Sequence, residues 1–253
     1  MANQFKNRFI ALYNKKKNEN YNFFTEQSVF VNGRNYSYLL CNIDLEILKE
    51  ANNIAKVKSM FTMAKNQANI TRDDVTKLKK ACQGILAEMF IHFLLVERYG
   101  FDVKRYDLER ATFEYSTEEY DLKIFVDNYE YEVESRSSNI HNKTVDDFIL
   151  NDVIIGPYYN RAKPMDALAD FHFRPIYIPE FVPFVMENGN YCFNSNMVNG
   201  AIKLIITGVA TRDEFKNNGF TGSLGQYGTT YHLVNAADVG DIYDMDYKFN
   251  SIK

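Results

Sequence analysis

The period of hydrophobic and polar positions changes several times along the chain, and each change marks an element. Two short apolar and aromatic runs, 27–31 (QSVFV) and 34–40 (RNYSYLL), flank Asn32-Gly33. Both residues of that pair tolerate positive φ, so the pattern predicts a two-residue β-hairpin. From Asn42 the spacing becomes helical. Apolar residues recur at three- and four-residue intervals over 42–68, with Lys49, Lys56, Lys58 and Lys65 among them, and again over 71–100 behind a Thr71 cap with Asp74 three residues on. The second predicted helix ends in a nearly continuous apolar stretch from Ile85 to Val96, which reads as buried, and Gly100 stops it. Within that stretch Glu88 is the odd residue.

Runs of strand composition follow at 101–108, 111–116, 120–126 and 129–137, with Asp127-Asn128 as a two-residue turn between the last two. Residues 144–154 look helical, 173–186 and 201–210 are further apolar pieces, and 229–245 reads as a strand and then a short helix. No internal repeat, low-complexity tract or Pro/Ser-rich linker interrupts the series.

The run 118–138 (EEYDLKIFVDNYEYEVESRSS) poses a problem for a core strand. Side chains alternate across a strand, so Glu130, Glu132, Glu134 and Arg136 share one face while Tyr131, Val133 and Ser135 share the other. A two-residue turn at 127–128 pairs Val126 with Tyr129, and continuing that register sets Asp121 opposite Glu134. Like charges facing each other destabilise a hairpin unless a metal or a basic side chain offsets them. Hard cations such as Mg2+ accept a few carboxylate oxygens and keep several waters, which suits phosphate chemistry. Glu88 could reach the same cluster from the preceding helix, since an ionised carboxylate in an apolar helix needs a partner.

Composition adds two facts to this picture. The 253 residues carry a net charge of -4, but residues 1–80 hold 14 Lys and Arg against 7 Asp and Glu, and the remainder is acidic. A basic front suggests contact with a polyanion, or simply a solvated helix face. Cys41, Cys82 and Cys192 lack any metal-site spacing and read as reduced thiols, and neither a membrane span nor a secretory signal is visible, which predicts a cytoplasmic protein without membrane partners. The four histidines are scattered, and the glycine-spaced stretch 219–228 lacks the Lys-Ser/Thr of a phosphate-binding loop and reads as a mobile loop.

Glu88 in GILAEMF, Asp121 in YDLKI, and Glu134 with Arg136 in VESRSS resemble the PD-(D/E)XK nuclease superfamily, whose core sets an acidic residue on a helix, Asp on a hairpin, and Glu-x-Lys on the next strand. The likeness covers about residues 81–138. It implies an α/β fold with a restriction-endonuclease-like core, a central mixed sheet flanked by helices, over 81–253, behind a basic, mainly helical extension over 1–80. It further implies a Mg2+-dependent DNA endonuclease, with Mn2+ as a substitute ion. Asp121 and Glu134 would hold the metal, Glu88 would assist as a ligand or orient water, and the basic helices would grip the DNA backbone. Two departures stand out. Tyr120 replaces the family's proline, and Arg136 replaces its lysine, so position 136 can stabilise phosphate charge but not take a proton. A register of Glu132-x-Glu134 gives a Glu-x-Glu variant with Glu132 as the ligand. The departures leave open a catalytically inactive nucleic-acid-binding protein that keeps the fold, a protein-interaction component, and the choice between a single chain and a homodimer.

Overall fold

The computed structural model describes residues 2–61, 73–109, 120–159, 168–187, 190–224 and 229–253. Helix α1 (Ala2–Asn18) leads into the hairpin of β1 (Phe24–Val31) and β2 (Arg34–Cys41). Val31 pairs with Arg34 around Asn32 and Gly33 at φ of 47° and 83°, the left-handed conformation that a tight two-residue turn demands. Helix α2 (Leu45–Met60) starts where the Asp44 carboxylate accepts the Ile47 N–H. Helix α3 (Asp74–Glu97) is capped by Asp73, which accepts from the Thr76 N–H; the cap expected at Thr71 is thus taken by the aspartate nearer the first turn, and residue 71 lies outside the described residues. Gly100, at φ 70°, closes α3 as expected by donating its N–H to Val96 O.

The chain continues through β3 (Asp102–Arg105), α4 (Tyr106–Glu109), β4 (Leu122–Val126), β5 (Tyr129–Ser135), β6 (Ser138–Asn139), α5 (Val145–Asn151) and β7 (Val153–Tyr159). Then come β8 (Phe171–Phe173), β9 (Ile176–Ile178), β10 (Phe184–Glu187), β11 (Asn190–Phe193), β12 (Lys203–Ile206) and β13 (Val209–Thr211). Helix α6 (Arg212–Asn218), β14 (Phe220–Gly222), β15 (Thr230–Asn235), α7 (Ala236–Val239) and α8 (Ile242–Asn250) complete it. Thr144 opens α5 with a reciprocal capping box to Asp147. The strand expected at 111–116 falls outside the described residues, and Phe220–Gly222 belongs to a strand where a loop was expected.

The fold is α/β, with mixed sheets flanked by helices. One sheet has the order β13-β8-β5-β4-β3, in which β5 and β8 run parallel and the other neighbours antiparallel. A second, β1-β2-β12-β9-β6, is antiparallel except for the β6–β9 pair. The third is β14-β15-β7, and β10 pairs with β11. Helix α3 lies over the first sheet. Its Ile85, Leu86, Met89, Phe90, Phe93 and Leu94 join Leu122, Ile124, Val133, Phe171 and Phe173 in one core, and each such large side chain contributes about 1.5–3 kcal/mol on burial. Residue 80, where the charge balance changes, lies inside α3, and β2 bonds to β12 from the far part of the chain. The segments 1–80 and 81–253 therefore share a helix, a sheet and a core.

Candidate metal centre

The β4–β5 hairpin turns at Asp127, φ 52°, and pairs Leu122 with Val133 at its open end. One step beyond, Asp121 stands level with Glu134. Its Oδ2 accepts the Ser135 N–H at 2.7 Å, which ties the carboxylate to the β5 backbone. The faces of β5 sort as the alternation predicts. Val133 packs under α3, while Glu134 shares the opposite face with His172, its register partner on β8.

Electrostatics bring Glu88 into the same group. The Asp121 carboxyl is pushed well above the usual carboxylate range, first by desolvation, then by the Glu134 and Glu88 charges; Lys58 and the Ser135 N–H act against the shift. Asp121 keeps some surface exposure as a residue, so it is the carboxylate, turned inward against β5, that is starved of water. Three carboxylates from α3, the start of β4 and the end of β5 thus interact, and the one between them holds its proton more tightly than an ordinary aspartate.

Cations of the chain already answer two of these charges. Arg105, whose side chain is 0% exposed, reaches Glu88 Oε2 at 3.4 Å from β3, and Lys58 Nζ lies 4.0 Å from Glu88 Oε1 and 2.8 Å from Asp107 Oδ2. Arg136 bonds Glu134 Oε1 at 2.6 Å, lies 5.0 Å from the centre of the Tyr158 ring, and gives its backbone N–H to Phe173 O. Glu132 lies opposite Lys123, whose ammonium bonds Glu130 at 2.9 Å. The hairpin therefore brings Asp121 and Glu134 together, Glu88 joins them with its charge held by Arg105 and Lys58, and Glu132 sits one pleat away beside a lysine.

Among the described residues no three His, Cys, Asp or Glu side chains are grouped closely enough to form a ligand set. The residues fit a smaller demand. Mg2+ commonly takes one or two carboxylates and keeps its waters, and the Asp121–Glu134 pair offers two, Glu134 being partly answered by Arg136.

Spacing along the chain did not single out Lys58, Arg105 and Asp107 for this cluster, because they arrive from α2, β3 and α4. The signal for Arg105 was present in the strand pattern, since alternation sets it on the buried face with Val103. His172 is a second such residue. It is 1% exposed, its edge meets Phe215 with centroids 4.7 Å apart, and burial and then Arg136 lower its pKa to about 3 against a smaller opposing effect of the Ala169 backbone.

In the basic N-terminal segment the cations of α1 have carboxylate partners within the chain. Lys6 bonds Glu109, Arg8 bonds Glu50, Lys15 and Lys16 bond Glu46, Lys16 also bonds Asp44, and Lys17 lies 3.5 Å from Glu97. These cations tie α1 to α2, α3 and α4. Among the described residues no helix is long and apolar enough to cross a membrane. Comparisons with models of known protein families, with curated proteins and with solved structures found no match.

Proposed function

We propose that this chain is a metal-dependent deoxyribonuclease with a PD-(D/E)XK-like, restriction-endonuclease-like core, using Mg2+ or Mn2+ to hydrolyse DNA phosphodiester bonds. The observation that carries the reading is the β4–β5 register, with Asp121 level with Glu134 and the α3 residue Glu88 close enough to raise the Asp121 pKa. The arrangement of a helix over a hairpin whose second strand has a parallel neighbour supports it further.

In this reading Asp121 and Glu134 hold the ion. A bound Mg2+ supplies an activated water and offsets charge on the phosphate. The Asp121 carboxylate, fixed by the Ser135 N–H, is oriented before substrate arrives. Glu88, braced by Arg105 and Lys58, orients water beside the ion rather than serving as a full ligand.

The Arg136–Glu134 bond at 2.6 Å favours a second reading, a nucleic-acid-binding protein that keeps the fold without cutting, because a guanidinium stands where the pattern asks for lysine and occupies the carboxylate meant for metal. Cleavage of supercoiled and linear DNA with Mg2+ or Mn2+ decides between them. The nuclease reading requires metal-dependent cleavage that Asp121→Ala and Glu134→Ala both abolish. DNA binding by a folded wild type that never cleaves selects the second.

A further inference from the structure

We infer that Lys58, delivered by the last turn of α2, is the catalytic lysine of this site and contacts a non-bridging oxygen of the scissile phosphate. The inference rests on the nuclease reading above. The family pattern puts its lysine two residues after Glu134, where this chain has Arg136, and Arg136 is held by Glu134 and lies over Tyr158. A lysine is nevertheless present among the carboxylates, from a different element. Lys58 Nζ lies 2.8 Å from Asp107 Oδ2 and 4.0 Å from Glu88 Oε1, and its charge reaches Asp121.

Burial separates its role from that of Arg105. Arg105 also faces Glu88 but its side chain is 0% exposed, so it can only brace the carboxylate from within. The Lys58 side chain is 24% exposed, so a ligand entering from solvent can meet it where it cannot meet Arg105. An ammonium on a four-carbon stem also rotates among acceptors, so it can turn from a carboxylate towards a phosphate oxygen without moving α2. In the reaction itself the oxygen of one water bonds to phosphorus, the P–O bond to the leaving oxygen breaks, and the proton released by the water passes through solvent to that oxygen, so that a phosphate monoester and an alcohol result. Lys58 remains protonated throughout and donates a hydrogen bond to the oxygen on which charge accumulates.

The test uses the full chain with plasmid DNA and Mg2+, comparing wild type with Lys58→Ala, Lys58→Met and Lys58→Arg. The methionine keeps most of the aliphatic stem, and melting temperatures establish which variants are folded. The expected result is a kcat lower by about 100-fold or more in the alanine and methionine variants, with KM and DNA affinity in Ca2+ changed less than about threefold, and partial recovery with arginine. S-aminoethylation of Lys58→Cys, which rebuilds a lysine-like ammonium, should restore turnover in the same preparation. A folded Lys58→Met variant with a kcat within about threefold of wild type overturns the inference, as does a loss expressed wholly in DNA affinity. An inactive wild type removes the nuclease reading itself, and this inference with it.

Discussion

Replacing Arg105 by methionine tests how the carboxylate cluster is held. Arg105 and Glu88 form a pair with side-chain exposures of 0% and 7%. Removing one member of such a buried pair typically costs about 3–5 kcal/mol, because the other charge is left without water. Two features reduce that figure here. Lys58, 4.0 Å away, still answers part of the Glu88 charge, and Arg105 Nε and Nη1 make no hydrogen bond, so methionine relieves roughly 1 kcal/mol of desolvation while filling the space beside Phe9. The net expectation is a loss of about 2–3 kcal/mol, or about 4–12 °C in melting temperature for a chain of this size. Urea and thermal unfolding of Arg105→Met, Glu88→Gln and the double variant supply a cycle, in which the double variant should recover most of the loss. A neutral or stabilising Arg105→Met, with a coupling under about 0.5 kcal/mol, would refute the reasoning.

Two further predictions concern pH and charge. Asp121 has a pKa above its unfolded value, so its ionised form penalises folding at neutral pH and the penalty fades as pH falls through the raised value. Asp121→Asn keeps an acceptor for the Ser135 N–H and should raise the metal-free melting temperature at pH 7 while losing activity; an unchanged or lower melting temperature contradicts this. His172 is shifted the other way, to about 3, so stability is held above about pH 6.5 and declines by about 1.4 kcal/mol per pH unit between there and about 3. Unfolding of His172→Phe at pH 7, 6, 5 and 4 should show a slope shallower by that amount, and identical slopes would exclude it.

The hairpin turns and their registers were legible because they depend on adjacent residues. Asn32-Gly33 and Asp127-Asn128 announce their turns, and counting outward from the second sets Asp121 level with Glu134. Burial of α3 was legible from its apolar run, and so was the need of Glu88 for partners. The identity of those partners was not. Lys58, Arg105 and Asp107 come from three elements whose contact is fixed by packing, and no periodicity along the chain encodes it. The positive charge of residues 1–80 was visible, but the partners of its α1 part were not, for the same reason. Glu46, Asp44, Glu97 and Glu109, which neutralise α1, are distant in sequence and adjacent only after folding.

Whether Asp121 and Glu134 hold a divalent cation is read by calorimetric titration of the full chain with Mn2+. Wild type should bind one ion per chain, with binding lost in folded Asp121→Ala and Glu134→Ala and retained in Glu132→Ala. No binding by wild type, or binding indifferent to Asp121 and Glu134, would contradict it.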